Sequence, residues 1–420
     1  MATTRIGDPP RPVATPIPGA LWEGDVVDVT TIATELRRLW LKVGDGVTVG
    51  ADAHDEPRDV MILVRATTLN LVAVTRDKAA EEEAIAAVLA MSDFHPSRAT
   101  ILFADPARTD PDDDTLHVRA MLVEQAATKS RPVVRFELVV VEGSAANEPT
   151  LASVVAPLLV VDLPDFLWWS AGSIVGSGLF ADLWTRSDRV IVDTAGSTRP
   201  AAELRALATF ATGPDSAAAV SDFAWSRTRD WRKMVAQFFD APAARDALPE
   251  IDRVEITYLH DAANDHSGFT GALLTAGWLA SHLGWHAPGP LVATRGEAHG
   301  WHLTFRAGPA TEPREIDLTL HAATESDAWP SLAKIVLSVG DGESGRFSVE
   351  RTETQELHAV SRAGGTTTEW RSVFDRPKAE SQLLAGALQM YSRDPVFEAA
   401  LRAAAGIAPA GERFGSEQQP

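Results

Sequence analysis

Val133-Val-Arg-Phe-Glu-Leu-Val-Val-Val141 is the stretch from which the fold is read. It is nearly continuous in β-branched residues, without the polar alternation of a strand that keeps one face in water. A central strand covered on both faces has that pattern. Moving upstream, strands are expected at Leu116–Glu124, Ala99–Phe103, Asn70–Thr75 and Asp59–Ala66. Two helices separate them. Over Thr31–Val43, Ile32, Leu36, Leu39 and Val43 recur on one helical face. Asp77–Met91 carries acidic residues near its start, where the helix dipole favours them, with Ile85, Val88 and Leu89 as its apolar stripe.

Downstream, Glu142–Pro149 (EGSAANEP) is polar and rich in turn residues, and it reads as a domain boundary. Beyond it, helices are expected at Thr150–Leu159, Pro200–Thr212, Asp230–Asp240 and Gly268–Leu283, and strands at Arg189–Thr194 and Ile251–His260. The last third reads as short strands with Gly-rich turns: Trp301–Arg306, Glu315–His321, Ala333–Val339, Arg346–Glu350, Leu357–Ser361 and Thr367–Arg371. A closing helix is expected over Lys378–Tyr391. The fold class is therefore mixed α/β in two domains. Residues 21–145 form an N-terminal α/β sandwich, and 150–405 carry βα units followed by an antiparallel meander. A Pro-rich arm over 1–20 and a polar tail over 406–420 read as disordered.

Composition narrows the function. Over 420 residues, 58 acidic against 38 basic side chains leave a formal charge of −20, which repels nucleic-acid backbones and anionic membranes. That charge serves solubility, or complements a basic patch on a partner protein. No apolar run is long enough for a membrane helix, and the N-terminus lacks the apolar core of a secretory signal. There is no cysteine, hence no disulfide, thiolate nucleophile or cysteine-ligated metal. A cytoplasmic location is the simplest expectation.

No short catalytic signature stands out. Gly340-Asp-Gly-Glu-Ser-Gly345 matches a dinucleotide loop in spacing, but a strand follows it and its two acids repel phosphate, so it reads as a hairpin turn. Asp110–Asp114 lacks the glycine and distal glutamate of a calcium loop. His260, Asp261, Asp265, His266, His299 and His302 fit no zinc spacing. No cofactor is expected.

Three segments carry candidate contacts. In Phe94-His-Pro-Ser-Arg98, Pro96 stiffens the chain beside His95, and Ser97 and Arg98 present a hydroxyl and a guanidinium suited to a phosphate or carboxylate. Alternatively, Arg98 closes an internal salt bridge. In Asp162–Trp169, adjacent Trp168 and Trp169 point to opposite faces of an extended segment. Either both pack internally, or one lines an interface. In Asp222–Asp240, Trp231, Met234, Val235 and Phe238 share a helical face, while Arg227, Arg229, Arg232 and Lys233 form the densest basic patch. That patch is either solvated or meets an anion or an acidic partner.

These segments also carry a resemblance. HPSRATILFADP (95–106), SVVAPLLVVDLPDFLWW (153–169), SDRVIVDTA (187–195), DFAWSRTRDWRKMVAQFFD (222–240), GALLTAGWLASHLGW (271–285) and LLAGALQMYSRDPVFEAAL (383–401) stand in the order of the landmarks of the OpcA family. The chain thus resembles the glucose-6-phosphate dehydrogenase assembly proteins over residues 30–402. The resemblance implies two domains and a partner, glucose-6-phosphate dehydrogenase, whose assembly and activity the chain would support without catalysis of its own. A small-molecule effector is compatible with this. Some family members are linked to thiol-based redox control, which this cysteine-free chain has no thiol to perform. The alternative is an α/β protein that binds or processes an anionic sugar phosphate through Ser97 and Arg98.

Overall fold

A computed structural model describes residues 14–26, 28–43, 63–65, 67–92, 95–125, 133–213, 216–260, 268–295, 299–309, 311–324, 331–342, 344–371 and 378–411. The expected arm over 1–13, the tail over 412–420, strand residues 59–62, and Asp261, Asp265 and His266 lie outside them. The chain divides into two compact units. One comprises residues 1–172, 177–191 and 379–391, the other 173–176, 192–378 and 392–420.

In the first unit the elements are β1 (Thr15–Val26), α1 (Thr30–Val43), β2 (Leu63–Arg65), β3 (Leu69–Thr75), α2 (Lys78–Met91), β4 (Ser97–Asp105), β5 (Leu116–Gln125), β6 (Val133–Ser144), α3 (Glu148–Leu158), β7 (Asp165–Ser170), α4 (Gly178–Trp184) and β8 (Arg189–Val192). Within this unit the strands lie in the order β1-β5-β6-β4-β3-β7-β8, with β2 beside β6. The pairs from β6 through β4, β3 and β7 to β8 are parallel, and β1 and β5 are antiparallel additions at one edge. The chain starts this parallel core in the middle, at β3, winds one way through β4 to β6, then returns to β7 and winds the other way. That is the doubly wound arrangement, whose switch point lies between β3 and β7.

Helices cover both faces. Trp40 on α1 donates to Glu137 on β6 at 2.5 Å. Glu81 on α2 pairs with Arg119 on β5, and Arg119 stands opposite Val140, on the other face from Glu137. Every residue of β3 is buried in consequence. The stripe of α2 is rotated from the sequence expectation. Glu81, Ala84, Ala87, Val88 and Met91 are its buried residues, while Ile85 and Leu89 are half-buried.

The second unit contains α5 (Pro200–Thr212), β9 (Ala219–Asp222), α6 (Phe223–Arg227), α7 (Arg229–Phe238), α8 (Pro242–Ala247), β10 (Arg253–His260), α9 (Phe269–Leu283), β11 (Val292–Ala293), β12 (Trp301–Ala307), β13 (Arg314–Thr324), β14 (Ser331–Val339), β15 (Gly345–Arg351), β16 (Leu357–Ala363) and β17 (Thr366–Arg371). Then α10 (Glu380–Leu388) packs on α2 of the first unit to which it belongs, and α11 (Pro395–Ile407) returns to the second. The sheet runs β11-β12-β13-β10-β14-β15-β16-β17. The expected meander holds from β14 to β17. It is interrupted by β10, which sits parallel to β13 and antiparallel to β14 after a crossover that includes α9. Burial alternates along β12, β15 and β16, as in a sheet packed on one face only.

Three expected boundaries are corrected. Residues 15–20 are no arm: β1 pairs with β5 from Thr15 onward across a bulge between Pro16 and Leu21. An edge strand tolerates Pro16 and Pro18, and Gly19 takes the positive φ of 76° inside the bulge. Residues 142–149 do not end the first unit. Glu142–Ser144 complete β6, and Asn147 caps α3 by accepting from Thr150 N at 3.2 Å. The sheet needs β7 and β8, so the unit continues to residue 191. The tail is fixed further than expected. The α11 helix reaches Ile407, and Arg205 donates to the carbonyls of Ala408 and Pro409 at 2.6 and 2.8 Å.

Candidate functional site

A doubly wound sheet offers its ligand crevice outside the carboxyl ends of its strands, at the switch point. Here the crevice floor is the end of β3, Thr75-Arg76-Asp77, beside the end of β7, Ser170-Ala171-Gly172. A dinucleotide would need glycines and a free helix N-terminus there. Instead Asp77 Oδ1 accepts from Ala80 N at 2.7 Å, placing a carboxylate on the first turn of α2. Glu148 Oε2 accepts from Leu179 N at 2.8 Å, so α4 begins on a carboxylate too. The nearby cations are paired internally. Arg76 Nη2 lies 2.8 Å from Glu148 Oε1, and Lys78 Nζ lies 2.6 Å from Glu142 and 2.9 Å from Glu81.

The candidate at residues 95–98 is drawn into the first unit's own packing. Ser97 is 1% exposed, on β4. The guanidinium of Arg98 pairs with Glu137 and donates to Leu158 O at 3.1 Å, closing the C-terminal end of α3. His95 is half-buried, and burial pushes its imidazole below the usual range. His95 Nε2, Ser97 Oγ and Arg98 Nε are buried without hydrogen-bond partners among the described residues. The two tryptophans point to opposite faces as the strand period requires, and both are buried because both faces carry helices. Trp169 Nε1 donates to Gly172 O at 2.9 Å, and its ring meets Phe180 edge-on at 5.1 Å.

In the second unit the basic helix separates into two kinds of residue. Arg227 grips Asp193 with two bonds of 2.7 Å. Arg232 stacks on Trp225, its guanidinium carbon 3.1 Å from the ring centre, and donates to Trp225 O at 2.8 Å. Burial pulls the Arg232 guanidinium down to about 9. Trp231 is fully buried with Met234, Val235 and Phe238. Of the five candidate contacts on this segment, Arg227, Arg229, Trp231, Arg232 and Lys233, only Arg229 and Lys233 stand exposed.

The structure adds residues that the sequence did not single out. Asp222, wholly buried at the end of β9, accepts from Thr194 N at 3.2 Å, Thr194 Oγ1 at 2.5 Å and Ala224 N at 2.9 Å. Thr270 Oγ1 donates to Thr194 O at 3.1 Å. Burial, with the charge of Asp193 next in weight, raises the Asp222 carboxyl to about 7. The signal lay in the landmarks themselves: an aspartate closes each of the apolar runs RVIVD (189–193) and AVSD (219–222). No group of three or more histidine or acidic side chains able to hold a metal occurs among the described residues. No helix among them is long and apolar enough to cross a membrane.

The landmarks fall within two matching family descriptions. Residues 88–209 match the glucose-6-phosphate dehydrogenase subunit N-terminal domain, and residues 218–401 its C-terminal domain. The chain belongs to the OpcA family. An OxPP cycle protein OpcA from Nostoc punctiforme is 28% identical over 286 residues, covering 66% of this chain and 58% of the relative. An OpcA protein from Synechocystis is 27% identical over 276 residues, covering 64% and 55%. The chain thus spans a little over half the length of these curated OpcA relatives. Among solved structures, an oxidoreductase from Sinorhizobium meliloti aligns over 81% of this chain and 95% of its own at 13% identity, with a TM-score of 0.45. That likeness is too loose to carry an argument about function. The OpcA landmarks at 153–169, 187–195 and 222–240 coincide with the β7 strand, with Asp193 and with the Asp222–Arg232 cluster.

Proposed function

We propose that this chain is a non-catalytic partner of glucose-6-phosphate dehydrogenase, binding that enzyme and favouring its active assembly in the oxidative pentose phosphate pathway. The observation that carries the reading is the switch point. The position where a doubly wound enzyme receives its cofactor is filled by the chain's own carboxylates, Asp77 at the start of α2 and Glu148 of α3 against the start of α4. A protein built so uses the fold as a platform, and its family descriptions and relatives name the dehydrogenase and the pathway it would serve. A partner that binds the active conformer or oligomer more tightly shifts the population toward it. Among the candidate contacts, exposed Arg229 and Lys233 suit an acidic patch on the partner, whereas Trp168, Trp169 and Trp231 contribute through the packing beneath.

The alternative, an anionic sugar phosphate held at Ser97 and Arg98, has less support, because that guanidinium already serves Glu137 and the α3 carboxyl end. The test is dehydrogenase activity against glucose 6-phosphate with and without this chain, alongside molar mass by light scattering. A complex with a changed rate or substrate affinity supports the proposal; no complex and no kinetic change removes it.

A further inference from the structure

We propose that the second unit holds a binding cleft for a small amphipathic anion, with its apolar body on Trp285 and Phe305 and its charged group on Arg402. The cleft is about 460 Å³, within the range of small-molecule sites, and is framed by the end of α9, the segment after it, β12 and the last turns of α11. Its walls are fixed by backbone bonds. Gly284 ends α9 in the left-handed region at φ 67°, and Trp285 N donates back to Ala280 O at 2.9 Å. His286 exchanges two backbone bonds of 2.8 and 2.9 Å with Arg306, tying the segment to β12. Leu291 N donates to Ile407 O at 2.8 Å, tying it to the end of α11. A frame held on three sides loses little freedom when a ligand enters, so its contacts are not spent on ordering the protein.

The floor and the mouth differ in chemistry. Trp285 and Phe305 are 6% and 1% exposed, with ring centres 5.8 Å apart, and they face the cleft with Ala403 and Ile407. At the mouth stand exposed His286 and exposed Arg402. Arg402 spends only Nε internally, on Glu398 O at 3.3 Å, and its terminal nitrogens make no hydrogen bond among the described residues. Among the described residues no carboxylate lines the cleft, in a chain whose acidic residues outnumber basic ones 58 to 38. An apolar floor under a lone guanidinium selects an apolar body bearing one carboxylate or phosphate. This assignment does not depend on the dehydrogenase reading, because the site lies within this chain and is tested without a partner.

The test is calorimetry of the full chain with phenylacetate, phenyl phosphate and neutral benzyl alcohol as probes. At least one anion is expected to bind about tenfold more tightly than the alcohol, the worth of one charge-assisted hydrogen bond. The stronger anion identifies the head group as carboxylate or phosphate. Arg402→Gln should remove that tenfold preference and leave the alcohol unchanged. Ala403→Phe, at a half-buried position, should fill the cleft and block all three, with thermal melting confirming the fold. No anion binding to the wild-type chain overturns the proposal, as does binding that persists unchanged in Arg402→Gln.

Discussion

The guanidinium of Arg98 is paired with the carboxylate of Glu137, whose side chain is 3% exposed and also accepts from Trp40 Nε1 at 2.5 Å. Arg98 on β4 therefore neutralises a charge that β6 buries against α1. Arg98→Ala should destabilise the chain by about 3–5 kcal/mol, the cost of leaving a buried charge without its partner. The double change Arg98→Met with Glu137→Met should recover most of that loss, because neither charge is then buried. Urea denaturation of the three proteins decides it; a double variant no more stable than Arg98→Ala would show that the pair is not what Arg98 supports. The measurement also guards the functional assay, since a lost activity in Arg98→Ala would otherwise pass for a lost anion site.

Asp222 gives the stability a pH dependence of unusual sign. Its folded carboxyl is raised to about 7 by burial and by Asp193, against an ordinary value of 3.8. Between those values the folded state holds a proton that the unfolded state has released. The contribution is fully present below about pH 4 and is lost as pH rises toward 7, the reverse of a salt-bridged aspartate. Asp222→Asn keeps a neutral side chain at every pH. Melting temperatures across pH 5 to 8 should fall for the native chain relative to Asp222→Asn; parallel curves would refute the assignment.

Gly277 on α9 has no room for a side chain. A Cβ there would stand 2.4 Å from Ala400 O and 2.7 Å from Ala404 N, both backbone atoms of α11. Alanine gains about 1 kcal/mol of helix propensity over glycine, yet forcing these helices apart costs about 1–3 kcal/mol or more. Gly277→Ala should therefore lower the melting temperature, and a rise would mean that α11 yields without cost.

Arg229 and Lys233 carry the charge-complementarity reading of the partner surface. Both are exposed, so Arg229→Glu with Lys233→Glu should change stability by no more than about 1 kcal/mol. If α7 meets an acidic patch on glucose-6-phosphate dehydrogenase, the double variant should weaken the complex by about tenfold or more at low salt, less so at high salt. Sedimentation or light scattering with the purified enzyme provides the readout. Unchanged affinity would remove α7 from the interface and leave the rest of the proposal standing.

Local periodicity was enough to locate individual elements. The valine run at 133–141 became a strand flanked on both sides, and the α1 spacing became a helix with Ile32, Leu36 and Leu39 buried. The periods of side-chain direction are set by the backbone alone, so burial stripes are legible before any partner is known. Asp394 and Pro395 carry the chemistry of a helix start, and α11, which was not among the expected elements, begins there.

Tertiary structure alone decided the rest, because it depends on which distant residues share a neighbour. Whether Trp169 faces a groove or the core was settled by α4, which brings Phe180 to its ring. That Arg98 pairs with a buried acid depends on Glu137, 39 residues away in sequence yet on β6, the strand next to β4. Where the first unit ends was settled by hydrogen bonding, since β7 pairs with β3 across 95 residues of chain and the turn-rich stretch at 142–149 only joins β6 to α3 within that sheet. Polar residues announce their chemistry in the sequence; the fold decides whether that chemistry is spent inside the protein or offered to a partner.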